Sequence, residues 1–468
     1  MLRRTPDPLT TDALAPDAPS AAKTWSVGTL TYTTAGLVAL FFWLLLGDFA
    51  WSMRDRSVGP MAQWYLNHLD VPNLLFGLLL TSFPAAVSFL LVPIMSVKSD
   101  RHRGRWGRRI PFLLITTPLA AVGMIGLACA PIVAKWVHSH FPGQSEMLVS
   151  VVCFGVFWAA FEFATIAGSS LFGALINDVV PKELLGRFYG LFRAVSLIDG
   201  MIFNFWIIGK VPDHFTLIMA VIGVFYGAAF MWVCVKVKEG SYPPPPPVEP
   251  GAPGVVAGFW RGSRTYLREC FAKPYYLSVF ILMTAAWMAV SPVNVFAIPY
   301  GRSLGVSMDT YGKCLALTFL ISLCLSYPLG WLADRFHPLR MTMVSLAGYA
   351  AVAAWAWIYA NTADTFIIAW VAHGVLSGCY ATSAASLGQR LFPRERYAQY
   401  ASAVAMLMAP CNMVLAPLVG LVIDQTGKIY SYTFLIAGLL ALAALSTALV
   451  VHRKFMRLGG PKNYAAPL

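Results

Sequence analysis

A few charged side chains interrupt long apolar stretches of this chain, and their types and spacing are what could do chemistry. Asp48, Arg54, Asp55 and Arg56 follow the run FFWLLLG; Glu162 stands between Phe161 and Phe163; Arg193 and Asp199 lie in a fifth apolar stretch. If a helix continues through the first group, Asp48 and Asp55, seven apart, share a face at 100° per residue. Ser52, Gly59 and Gln63 fall close to the same face and Trp51 flanks it, a polar stripe suited to the wall of a watery cavity, while Arg54 points toward a neighbouring helix. If the helix ends near Ala50, Arg54-Asp55-Arg56 is a loop. Removing a carboxyl from water disfavours its charged form, so an acid at such a place can take up a proton on one side and release it on the other. Glu162 is the first candidate for that role. Arg193 shares a face with Gly200 and Asn204, with Asp199 turned by about 120°. An Arg beside Glu162 would favour proton release, so Glu162 and Arg193 are expected to pair, with Asp48, Asp55 and Asp199 as further proton-coupling candidates.

The elements that must hold these groups follow from composition. The 468 residues are 58% hydrophobic and 12% charged, about half the charge of a soluble domain, near 25%. Roughly 20 apolar residues cross a hydrocarbon core. Apolar segments fall at 36–66, 74–97, 110–134, 148–176, 187–209, 214–236, 275–300, 311–333, 340–360, 365–389, 399–423 and 430–452. Twelve crossings put both termini on one side. Most Lys and Arg lie in the loops after even-numbered segments and in the tails, KSDRHRGRWGRR (98–109) above all, which makes that side cytoplasmic. The net charge of +13 then reports positive-inside loops and not a nucleic-acid partner. The eight cysteines form no CxxC pair or disulfide framework. No P-loop, HExxH or nucleophile elbow suggests an enzyme. The coupling ion is expected to be a proton, without a cofactor or metal, in a protein that is a monomer in the lipid bilayer.

The organisation is a disordered cytoplasmic tail at 1–35, a six-helix half at 36–238, a linker at 239–274, a second six-helix half at 275–452 and a cytoplasmic tail at 453–468. The linker holds SYPPPPPVEP (241–250), an extended polyproline stretch. VVAGFWRGSRTYLRECF (255–271) follows as an amphipathic helix, lying either in the lipid interface or on the protein's own inner surface. Two internal repeats mark the halves. SVKSDRHRGR (96–105) and GWLADRFHPLR (330–340) both centre on Asp-Arg; Pro181-Lys182-Glu183 and Pro393-Arg394-Glu395 follow segments 4 and 10.

These loops resemble the loop motif of the major facilitator superfamily, which implies an all-α membrane protein of twelve transmembrane helices with a solute site near the midplane. In that motif an Asp, an Arg and later basic residues pin helices together, which points to Asp100, Arg101, Arg105, Arg108, Asp334 and Arg335 as latch residues. Two departures stand in the motif: Ser96 replaces a usual Gly, and His337-Pro338 replaces Gly-Arg. A narrower likeness covers PAAVSFLLVPIMSVKSDRHRGRWGRRIPF (84–112) and FEFATIAGSSLFGALINDVVP (161–181), which resemble the sucrose–proton symporters. GDFA (47–50) resembles the glycoside–pentoside–hexuronide cation symporters. Sodium-using members of that group carry paired aspartates in helix 2; segment 74–97 has no acid, which favours protons. The resemblance also implies that helix 1 runs on to WYLNHLDVP (64–72), carrying Asp48 to Arg56 inside the bundle.

The second half offers a different set. Trp287, Asn294, Tyr380, Ser383 and Asn412 supply aromatic faces and amide or hydroxyl groups that suit a hydroxyl-rich solute, and with Trp51, Gln63 and Asn204 they form the expected substrate set. His373 reads as a hydrogen-bonded packing residue, and Asp424 lies at the outer end of helix 11. The expected function is proton-coupled symport of a sugar, a disaccharide or glycoside, by alternating access. Another small solute (a drug, organic acid or amino acid), a sugar uniporter, or a sensor or lipid-moving protein on the same fold remain open alternatives.

Overall fold

The computed structural model describes residues 24–244, 268–393 and 396–467. The polyproline stretch beyond Pro244, most of the expected amphipathic helix, the first part of the N-terminal tail and the Arg394-Glu395 pair lie outside the described residues. The tail is not featureless throughout: Trp25–Val27 and Leu30–Tyr32 form an antiparallel hairpin within the stretch expected to be disordered. Gly28, at φ 56°, supplies the left-handed turn residue.

Helix α1 spans Thr34–His68 without a break. Thr33 caps it by accepting from the Gly36 amide at 3.2 Å, and Pro60 is accommodated within it. Arg54-Asp55-Arg56 is therefore intrahelical. The next elements are α2 (Asn73–Arg101), α3 (Ile110–His140) and α4 (Glu146–Val179). Helix α2 widens to a π turn at Leu78–Ser82, where Phe83 N donates to Leu78 O. Pro84 lacks the N–H that would close the α turn onto Leu80, so the backbone takes the wider turn.

Eleven described segments are long and apolar enough to cross a membrane, and the longest, Lys182–Lys236, has 55 residues. A continuous helix of that length would reach about 80 Å, far beyond a core of about 30 Å. It divides in two. Helix α5 (Leu185–Ile202) runs into a π turn (Phe203–Ile207) and a 3-10 turn (Ile208–Lys210), and α6 (Val211–Lys236) starts with non-helical dihedrals at His214. Both pack on α1, so the chain has reversed. Twelve crossings result, six in each half. The second half comprises α7 (Pro274–Ser303), α8 (Met308–Phe336), α9 (Pro338–Tyr359), α10 (Ala363–Ala384), α11 (Tyr397–Gln425) and α12 (Tyr432–Arg457).

The halves meet mainly through α2 on α11 and α5 on α8. Small residues permit close approach there. A Cβ on Gly77 would lie 2.7 Å from the Ala416 backbone, and Gly312 packs directly against the Asn204 carbonyl. These contacts gather at the end opposite the basic loops. Asp424 of α11 accepts from the Asn73 amide at 3.0 Å, its side-chain N–H at 2.8 Å and the Leu74 amide at 2.9 Å. Arg302 donates to Asn67 at 3.0 Å, and the Phe76 and Phe296 rings stack at 5.6 Å.

Toward the basic end the halves part. The buried residues of α8 stop at Thr318 apart from Ala333, and Tyr327 is 83% exposed. From Phe319 to Leu332 no residue of α8 is fully buried, as expected where the halves stand apart. The packed core agrees, because one cluster spans both halves at the closed end and a second, around Tyr276, Phe392 and Phe455, belongs to the second half alone. The molecule is open toward the end that carries the basic loops.

Candidate functional site

A cavity of about 260 Å³ lies between α1 and α4, lined by Trp51, Arg54, Asp55, Val58, Trp158 and Glu162, among others. Helix α1 reaches it because its charged stretch stays helical, and α4 contributes Trp158, Phe161, Glu162 and Thr165 from consecutive turns. Arg54 points toward the neighbouring helices α4 and α6. Its guanidinium sits 4.1 Å over the Trp51 ring, with Tyr226 at 5.6 Å and Phe161 at 5.8 Å. Glu162 feels the attraction of Arg54 and the repulsion of Asp55. The expected Glu162–Arg193 pair is absent. Arg193 is exposed on α5 and has no ion pair or hydrogen bond among the described residues; the cation whose charge Glu162 feels is Arg54.

A second group joins α1 to α5. Arg56 Nη2 donates to Ser196 Oγ at 3.1 Å, and its guanidinium lies 5.1 Å from the Phe319 ring of α8. Asp199 is fully buried, and neither carboxylate oxygen has a hydrogen-bond partner among the described residues. It feels the like charge of Asp48 and the opposite charge of Arg56. Asp48 is buried with one oxygen unpartnered. The proton-coupling candidates thus divide between two places: Glu162 and Asp55 at the cavity, Asp48 and Asp199 at the α1–α5 contact. Asn204 is buried at the α5–α8 crossing, where its side-chain N–H donates to Gly200 O at 2.7 Å.

In the second half, Trp287 and Asn294 are exposed and seven residues apart on α7, a helix otherwise largely buried. His373 links three helices: Nε2 lies 3.1 Å from Asn294 Oδ1 and Nδ1 lies 2.8 Å from the Tyr349 hydroxyl. The imidazole satisfies both if Nε2–H donates to the amide oxygen and Tyr349 O–H donates to Nδ1. The remaining expected contacts are scattered. Tyr380 is buried in the second core cluster, Ser383 is fully buried, and Gln63 and Asn412 are half-buried.

The latch is built, with different partners from those expected. Arg108 grips Asp178 of α4 through Nε (2.9 Å) and Nη2 (2.5 Å), a bond that holds its guanidinium charged more firmly than usual. Asp100 pairs with Arg109, which also reaches Asp178 at 3.3 Å. Glu239, at the start of the linker, accepts the amides of Arg108, Arg109 and Ile110 at 2.9, 2.8 and 2.7 Å and so caps α3. Arg101 is exposed, and Arg105 lies over Trp106. In the second half Asp334 pairs with Arg390 at 3.3 Å, and Arg335 lies over Trp331. Reading the loops alone missed Arg109, Asp178, Glu239 and Arg390. Asp178 and Arg390 flank the second repeat mark of their halves, which was the available signal.

Comparison with known proteins follows this geometry. The family model described as Major Facilitator Superfamily matches residues 276–463. A search of curated proteins returned no match. The chain is similar in fold to a D-xylose–proton symporter (14% identity, TM-score 0.63, covering 92% of this chain and 98% of that one). It is also similar to a bacterial homologue of the human lysosomal transporter Spinster in an inward-facing, unoccupied conformation (14% identity, TM-score 0.62, 92% and 98%). The nucleoside transporter NupG is a further likeness (8% identity, TM-score 0.61, 88% and 98%). The likeness shows the all-α fold of two six-helix halves that these structures share, and the family model matches its second half.

Proposed function

We propose that this chain is a secondary active transporter that couples protons to a sugar-class solute by alternating access. The observation that carries the reading is the cavity where Glu162, Asp55 and Arg54 meet beneath Trp51 and Trp158. Ionisable groups inside a membrane are costly, and they mark ion or substrate paths. Glu162 carries the proton, and Arg54 tunes it by attraction. Aromatic walls suit a sugar ring, and the Trp287–Asn294 face of α7 supplies the second half's contacts. The D-xylose–proton symporter among the similar folds supports a proton-driven sugar reading. The basic end is taken as cytoplasmic, with both termini there, in the cell membrane; the protein works as a monomer and needs only the bilayer and its solute.

The test uses the full chain in liposomes, with internal pH followed after addition of a panel of mono- and disaccharides. Wild type acidifies the lumen with one or more sugars. Glu162→Gln loses that signal while retaining sugar exchange. Sugar movement without pH change in either protein overturns proton coupling, and silence with every sugar overturns the solute class.

A further inference from the structure

The two halves have corresponding corners at the basic end, and they are filled differently. In the first half three carboxylates meet the basic loop: Asp100 on Arg109, Asp178 on Arg108 and Arg109, and Glu239 on the amides that open α3. The second repeat aligns ALINDVVPKE (174–183) with SLGQRLFPRE (386–395), which sets Arg390 where the first half has Asp178. No Asp or Glu lies between Gln425 and Leu468, so nothing in α12 or the tail matches Glu239. The second corner holds instead a cavity of about 360 Å³, lined by His337, Gln389, Arg390, Phe392, Phe455 and Tyr464, among others. Asp334, 3.3 Å from Arg390, is the one carboxylate paired with a cation there among the described residues. Arg340 and His452 lie near enough for their charge to bear on His337. Leu339 N donates to His337 Nδ1 at 3.2 Å, which puts the ring proton on Nε2. That N–H, the Gln389 amide and the Arg390 N–H groups other than those on Nη2 have no partner among the described residues.

We infer that this cavity binds the phosphate group of a small soluble molecule at the basic end, with Arg390, His337 and Gln389 as donors. A phosphate monoester carries about −1.5 to −2 charge at pH 7 and three acceptor oxygens. One such group supplies the charge of the two carboxylates that the second corner lacks, and a guanidinium forks onto its oxygens. The cavity is larger than a bare phosphate needs, which leaves room for a small organic group. A lipid headgroup fits less well. The lining side chains Phe392 and Phe455 are buried in the second core cluster and offer no flank to an acyl chain. Bound there, the anion joins the α8–α9 turn, the segment after α10 and the C-terminal tail, as Glu239 and Asp178 join the α2–α3 loop, the end of α4 and the linker. The tail is already tied to this corner: Tyr464 Oη donates to Leu391 O at 2.7 Å, and Tyr276 Oη donates to Pro467 O at 2.8 Å. The site belongs to the other half from Glu162 and does not depend on proton coupling.

The test measures the melting temperature of the full chain in nanodiscs of phosphatidylcholine. Sodium phosphate, glycerol 3-phosphate and glucose 6-phosphate, each at about 10 mM, are compared with sodium chloride of matched ionic strength. One or more of the three raises it by about 2 °C, and Arg390→Gln abolishes the rise whatever it does to the starting value. Gln389→Glu, an exposed substitution that sets a carboxylate beside Arg390, abolishes it too. Lys182→Gln, which removes an exposed cation from the first half's corner, leaves it intact. No rise with any of the three, or a full rise in Arg390→Gln, overturns the assignment. A rise lost equally in Lys182→Gln marks general charge screening and overturns it as well. If Arg390→Gln does not fold, a full rise in Gln389→Glu overturns it alone. Stabilisation that comes instead from adding phosphatidylglycerol to the nanodiscs, is lost in Arg390→Gln and leaves soluble phosphate nothing to add overturns the soluble ligand in favour of a lipid headgroup.

Discussion

At the scale of single residues, the account turns on which charge faces which. Periodicity placed Asp48 and Asp55 on one face of α1, and α1 is regular through them, yet Asp55 lines the cavity with α4 while Asp48 faces Asp199 of α5. That Arg54 turns toward a neighbouring helix was legible; the rings it meets were not. An Arg side chain is long, and its resting place is decided by Trp51, Phe161 and Tyr226, which come from three different helices. Trp51→Leu should therefore act on Arg54 as well as on packing: loss of a partly desolvated cation–π contact costs about 1–2 kcal/mol and should weaken solute affinity roughly tenfold, read as a raised KM with little change in maximal rate. His373 was read as a hydrogen-bonded packing residue, and its bonds to Tyr349 and Asn294 agree. His373→Leu removes both bonds, leaving Tyr349 only the longer bond to Ala289 O at 3.3 Å, and should lower stability by about 1–2 kcal/mol. His373→Gln can still donate to Asn294 and should recover part of that loss in thermal melts.

At the scale of elements, the sequence marked the loops that matter but not their partners. Asp-Arg marks at 100–101 and 334–335 are local in the chain, whereas Asp178 and Arg390 approach only after α4 and α10 have crossed and returned. Asp178→Asn leaves Arg108 and Arg109 without their shared acceptor. Breaking a partly buried pair of this kind should cost about 3 kcal/mol, visible as a lower melting temperature that Arg108→Gln in the same chain does not lower further. His337, between α8 and α9, carries a pH signature of its own. Burial, with Arg390 and Arg340 nearby, pulls its imidazole down to about 4. The folded state then resists protonation that the unfolded chain accepts near its ordinary value of 6.5. Stability contributed by the neutral ring is present above about pH 6.5 and is lost as pH falls toward 4. His337→Asn should flatten that decline in melting temperature. Segments 187–209 and 214–236 were legible as two apolar stretches; the structure joins them in a run of helical residues at 182–236 whose length forbids a single crossing.

At the scale of the whole molecule, two six-helix halves close against each other at one end and stand apart at the other. The division was readable from the repeats and the linker, since both are written in the chain. The state was not, because open and closed forms share one sequence and differ only in which contacts between halves are made. Asp424 is the contact to test. Its carboxylate holds the first amides of α2 across the closed end; Asp424→Ala removes that bridge and should shift the equilibrium toward opening there by about 1–3 kcal/mol. A cysteine placed at Val71, buried in the closed end, should then react faster with an impermeant maleimide than in an otherwise unaltered chain. The measurement that tests coupling most directly sets gradients against one another in liposomes. With a sugar that the protein moves, an opposing pH gradient is raised stepwise until net solute flux stops. The account predicts a reversal point fixed by the product of the two gradients and its disappearance in Glu162→Gln. A solute flux that stops only when solute concentrations are equal, whatever the pH difference, would contradict it.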